Sequence, residues 1–144
     1  MERNQVRRLP QRGHYDEQTI AEILDAGFLC HLSFTVDGQP FAIPTLYGRE
    51  GRTLFLHGSA ASRMMRQLAT GIPACVSVAH VDGLVLARSA FHHSINYRSV
   101  VAFGTAHLIE EREAKLHALE VISDQVIRHR WQEVRAPNEK ELKA

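Results

Sequence analysis

The chain has 144 residues, 44% hydrophobic and 23% charged, the mixture of one globular domain able to bury a core. Seventeen Lys and Arg against sixteen Asp and Glu leave a net charge of +1, which removes any global electrostatic case for nucleic acid or a membrane surface as partner. No apolar run approaches the ~20 residues of a membrane span, no secretory leader precedes the basic start, and two distant cysteines read as reduced thiols, so a cytoplasmic protein is expected.

The basic stretch at the start, residues 1–13, reads as a mobile arm ahead of a single domain covering 1–144. In "YDEQTIAEILDAG" the spacing predicts a helix over 16–26, with Asp16 as its cap, Tyr15 stapled onto Ile20, and Gly27 as a left-handed stop. The period then changes to two. In "FLCHLSFTV" Phe28, Cys30, Leu32, Phe34 and Val36 point one way, and His31, Ser33 and Thr35 the other. Asp37-Gly38 signals a hairpin into "QPFAIPTLY", where Pro44 marks an edge or an opening because proline cannot donate to a ladder.

After the turn "GREGR" come the strand "TLFLH" and a helix beginning near Ser59. "IPACVSVAH" leads to a second Asp-Gly, at Asp82-Gly83, read as another hairpin into "LVLARSA". The last long strand is "YRSVVAFGTAHLIE", with Gly104 as a bulge, and a helix follows over 111–131. The tail after Pro137 reads as exposed. These elements predict a mainly β (α+β) fold: a six-stranded antiparallel sheet closed into a small barrel, with flanking helices.

Two stretches carry candidate chemistry. With Ser59 as cap, Ser62, Arg63 and Arg66 share one helix face opposite Ala61, Met65 and Leu68, which would bring a hydroxyl and guanidinium groups to one anion. An amphipathic helix with solvated arginines explains the same pattern. In "AFHHSINYRSV", His92 and His93 are neighbours on a strand and point to opposite faces, so no metal site is expected there; Asn96 to Ser99 offer hydrogen-bonding groups. The Gly-x-Gly-x-x-Gly dinucleotide fingerprint, the Walker loop, the Gly-x-Ser-x-Gly elbow and Cys-x-x-Cys are absent, and no catalytic side-chain nucleophile is expected.

The order of "GFLCHLSFTVDGQPFAIPTLYG", "LHGSAASRM", "PACVSV" and "HSINYRSVVAFG" resembles the pyridoxamine 5′-phosphate oxidase-like flavoproteins, in the branch that includes the nitroimidazole-resistance proteins. The resemblance covers residues from about 8 to 130. It implies a split barrel that binds FMN between the subunits of a homodimer and performs two-electron oxidation or reduction of a small molecule, nitroreductase-like or pyridoxamine-phosphate-oxidase-like. It also implies the site. Ser62 and Arg63 would hold the flavin phosphate, and Ile43, Pro44 and Thr45 would run along the isoalloxazine ring. His57 and Gly58 would lie near the ring or ribityl chain, and Tyr97, Arg98 and Ser99 would add flavin or dimer contacts. His57 is the candidate to hydrogen-bond flavin or substrate. Met64 stands where the vitamin B6 oxidases have a lysine, and a basic strand residue near Tyr47 is missing, so the phosphate site is less cationic. The family domain usually continues for several dozen residues past the equivalent of Ala144. The alternatives are a flavin binder without turnover, or the same barrel holding haem or a deazaflavin.

Overall fold

The structure, a computed structural model, describes residues 4–143. Helix α1 spans Glu17–Asp25, and the Asp16 carboxylate accepts from the Thr19 N–H at 2.8 Å, satisfying one of the donors that a helix start leaves without an intrahelical partner. The other end differs from expectation: Ala26 closes the helix in the right-handed region, and Gly27 takes no left-handed conformation. Space holds Gly27 instead. A Cβ there would lie 2.4 Å from the Cε1 of His80. Ahead of the helix, the Tyr15 hydroxyl accepts from the Val6 N–H at 2.7 Å.

Five strands follow in chain order: β1 Leu29–Val36, β2 Gln39–Glu50, β3 Thr53–Leu56, β4 Pro73–Val85 and β5 Ser94–Thr105. They form one antiparallel sheet in the order β3-β2-β1-β4-β5. The expected alternation holds along β1, where Cys30, Leu32 and Phe34 are buried while His31 and Thr35 are exposed. The first Asp-Gly is a two-residue hairpin, with φ of 49° at Asp37 and 78° at Gly38, the pair of positive values that matches strand twist. Cys30, Tyr47, Val78 and Val100 on the inner face close a core with Leu24 of α1.

The expected six-stranded closed barrel is corrected to an open five-stranded sheet with β3 and β5 at opposite edges. The second Asp-Gly caused the difference. β4 runs straight through Asp82-Gly83, because β5 pairs with the residues on both sides of it, and the extra residue is absorbed as a register shift between Val81 and Gly83. Gly104 is no bulge; it pairs in register with Ala74. Gly48 is likewise no turn residue. β2 continues to Glu50, and the turn is Gly51-Arg52, with Gly51 at φ +56°.

Helix α2 spans Arg63–Leu68 and α3 spans Arg112–Val126. The last helix is shorter than the pattern predicted, because Ile127 turns extended and His129 takes φ 65° before a short 3₁₀ turn at Arg130–Glu133. The tail is not simply exposed. It folds back as helix α4, Glu139–Lys143, which buries Leu142, and the Lys115 ammonium donates to the Leu142 carbonyl at 3.0 Å. Among the described residues no helix is long and apolar enough to cross a membrane.

Helix α3 lies directly on β2. A Cβ on Gly48 would come within 2.8 Å of the Ile122 backbone. The Gln125 side chain accepts from the Arg49 N–H and donates to the Leu24 and Gly27 carbonyls, at 3.2, 3.1 and 2.7 Å. The Tyr47 hydroxyl also donates to the Leu24 carbonyl, and Arg49 grips Asp25 with two hydrogen bonds. The Leu24 carbonyl left open at the end of α1 is thus satisfied by side chains from β2 and α3, and His80 of β4 meets the Ile23 carbonyl at 2.8 Å. Burial pushes the Tyr47 phenol up to about 12 and the Cys30 thiol up to about 11, so both stay protonated.

Candidate functional site

The chain between β3 and α2 turns at Ser59, whose carbonyl accepts from the Ser62 N–H at 2.9 Å. The helix therefore starts later than expected. Its cap is Ser62, not Ser59, with Ser62 Oγ accepting from the Met65 N–H at 3.2 Å. A hydroxyl that accepts still has its own hydrogen to donate. Leu68 is buried, so the opposite face of α2 turns outward and carries Arg63 and Arg66.

These two arginines line a cavity of about 500 Å³ together with Gln39, Phe41, Gln67, Val36 and Asp37. The Arg63 guanidinium carbon sits 5.3 Å from the centre of the Phe41 ring, within the reach of a cation–π contact. Several guanidinium groups elsewhere face carboxylates, Arg49 with Asp25, Arg98 with Asp82, Arg112 with Glu139 and Arg135 with Glu141, while Arg7, Arg8, Arg12, Arg88 and Arg128 are in no ion pair among the described residues. Among the described residues neither Arg63 nor Arg66 is in an ion pair, and one carboxylate, Asp37, lines their cavity. Two cations against one anion, with two side-chain amides alongside, are the donor set of an anion site. Arg66 adds a second cation to the cavity that Arg63 lines.

On β2, Ile43 pairs with Leu32 and Thr45 with Cys30, both buried, which puts these two side chains on the inner face. Pro44 pairs with His31 and is exposed on the outer face. β3 pairs with β2 only from Tyr47 onward. The stretch around Pro44 therefore has a free edge, the place where a missing N–H costs no ladder bond.

His57 and Gly58 follow the end of β3, exposed. His57 lines a second cavity, of about 470 Å³, whose walls include Leu119 and Ile122 of α3 and Trp131 and Arg135 of the following segment. Among the described residues the His57 ring has no hydrogen-bond partner. Tyr97, Arg98 and Ser99 lie on β5, separated from β2 by β1 and β4. Within one chain they do not meet the α2 cavity, and Arg98 is held by two 2.9 Å hydrogen bonds to Asp82, which lower the Asp82 carboxyl and raise the guanidinium.

Sequence reasoning left Gln39, Phe41 and Gln67 out of the first cavity and Trp131 and Arg135 out of the second. Phe41 had a usable signal, since the Asp-Gly hairpin places it opposite Phe34. Trp131 and Arg135 had none, because they reach the cavity only when the chain reverses after α3.

Residues 16–144 match the family described as pyridoxamine 5′-phosphate oxidase. No curated protein is significantly similar to the chain. Among solved structures, an FAD and haem binding protein from Mycobacterium smegmatis is 40% identical with a TM-score of 0.85, covering 91% of this chain and 63% of its own. A flavocytochrome from Azotobacter vinelandii is 37% identical with a TM-score of 0.89, covering 100% of this chain and 67% of its own. The chain thus spans about two thirds of these relatives. A putative 5-nitroimidazole antibiotic resistance protein from Bacteroides thetaiotaomicron, at 23% identity and a TM-score of 0.74, shares the fold.

Proposed function

Because the chain belongs to the pyridoxamine 5′-phosphate oxidase family, we propose that it is a flavin-dependent oxidoreductase whose α2 cavity holds the flavin's phosphate. The observation that carries this reading is that Arg63 and Arg66, neither in an ion pair among the described residues, line one cavity at the start of the helix that Ser62 caps. The phosphate nearest the ribityl chain is common to FMN and FAD, and the donor set fits that group. When bound, the flavin supplies two-electron transfer to or from a small molecule, and the protein contributes binding, orientation and electrostatics. Ile43, Pro44 and Thr45 lie along the free edge of β2, where a flat ring system can approach main chain.

A second copy completes the site in this reading. The outer face of β5 leaves Ile95, Tyr97, Val101 and Phe103 exposed, an apolar surface of the kind that marks an interface. Tyr97 and Ser99 would reach the flavin of the partner from there, in a homodimer. Sedimentation velocity gives the oligomeric state; a monomer at micromolar concentration sinks this part.

Haem is the second ligand that one observation favours. The His57 cavity joins an imidazole, without a hydrogen-bond partner among the described residues, to apolar Leu119, Ile122, Trp131 and Pro137, with Ser123 and the ion-paired Arg135 and Glu141 also in its lining. Imidazole is a common axial ligand, and two relatives above 35% identity are named as an FAD and haem binding protein and a flavocytochrome. Absorption of the purified protein tests all of this at once. Flavin bands support the leading reading, an added Soret band supports haem, and a colourless protein that takes up neither overturns both. Chromatography of the released flavin separates FMN from FAD. Reduction by NADH or NADPH, followed by electron transfer to a quinone or nitroaromatic, separates an enzyme from a binder.

A further inference from the structure

The α2 cavity contains an aromatic ring that a phosphate site does not obviously need. Phe41 sits opposite Phe34 across the β1–β2 hairpin, and the two rings stack with centroids 5.4 Å apart and planes 15° apart. Phe34 is buried at 4% exposure, so its ring is fixed by the core. The Arg63 guanidinium carbon lies over the Phe41 ring, 5.3 Å from its centre. The Phe41 ring thus touches a buried ring and a guanidinium, and it lines the cavity together with that guanidinium.

We propose that Phe41 is a positioning residue for phosphate capture: it holds the Arg63 guanidinium at the cavity so that the charge is in place before the flavin arrives. A free arginine side chain samples many rotamers, and ordering it on binding weakens affinity. A ring face under the guanidinium removes part of that cost and leaves the N–H edges directed outward, because stacking uses the plane and hydrogen bonding uses the rim. The inference rests on the flavin-phosphate reading above.

The experiment titrates full-length protein with FMN and with riboflavin, which lacks the phosphate, by flavin fluorescence. Phe41→Leu is expected to weaken FMN about fivefold, the scale of one partly exposed cation–π contact, and to leave riboflavin unchanged. Phe41→Trp, which keeps a π face, is expected to retain wild-type FMN affinity. In an Arg63→Ala background Phe41→Leu should have no further effect. If Phe41→Leu loses the thermal transition, Phe41→Met, similar in size but without a ring, is read in its place. Unchanged FMN affinity overturns the inference, as does an equal loss for FMN and riboflavin, or a fivefold loss that persists without Arg63. A wild-type protein that binds neither flavin overturns the underlying reading and this inference with it; that outcome is seen before any variant is made.

Discussion

Two clusters of polar side chains lie on opposite parts of this sheet, and they are built on opposite rules. At the junction of α1, β2 and α3, every donor named has an acceptor: Tyr47 and Gln125 to the end of α1, Arg49 to Asp25. In the α2 cavity, Arg63 and Arg66 have no carboxylate partner among the described residues. A satisfied cluster stabilises the fold and has nothing left for a ligand. An unsatisfied one contributes little to stability and keeps its hydrogen bonds for an incoming anion. The difference teaches which arginines to test.

The sharpest break is at Gly48. Gly48→Val would drive a side chain into the Ile122 backbone and should destabilise the protein by about 3 kcal/mol, lowering the thermal midpoint while leaving the intrinsic flavin affinity of the folded fraction alone. Arg63→Ala should do the reverse. It should weaken FMN by about 1.5–3 kcal/mol, measured by fluorescence titration, with little change in thermal midpoint. If Arg63→Ala instead unfolds the protein and spares FMN, the division between the two clusters is wrong.

Smaller effects refine the comparison. Tyr47→Phe removes one donor to the Leu24 carbonyl, which keeps its bond from Gln125, so a loss of about 1 kcal/mol is expected in chemical denaturation. Arg98→Ala breaks a solvent-screened surface pair with Asp82 and should leave the thermal midpoint nearly unchanged, with a smaller effect on FMN than Arg63→Ala. Last comes His117, whose bond to Glu50 raises its pKa above the ordinary 6.5. The folded state then holds that proton more tightly than the unfolded state. The contribution of the pair is fully present below the unfolded-state value and is lost as pH rises through the raised one. Proton NMR should show the His117 midpoint falling in Glu50→Gln.

Much of the local structure was legible in the sequence because it depends on neighbours in the chain. The Asp16 cap, the period-two burial along β1 and the turn at Asp37-Gly38 each follow from one residue's dihedral freedom or from the alternation of a strand. The same logic failed at Asp82-Gly83. An identical dipeptide makes a hairpin in one place and a bulge in the other, and the choice lies with β5, which pairs across both halves of β4. Leu142 was misread in the same way, since only the reversal of the chain after α3 buries it.

For the site, residue identity and helix phase were enough to select Ser62, Arg63 and Arg66 as anion-binding candidates, and to place His57 at a strand end. Which charges were free was not written in the sequence. Arg63 and Arg98 are chemically the same side chain. Tertiary structure set Asp82 against one and a phenylalanine ring under the other. A charge is neutralised by whatever the fold brings within a few ångströms, and that depends on strand register and helix docking rather than on distance along the chain.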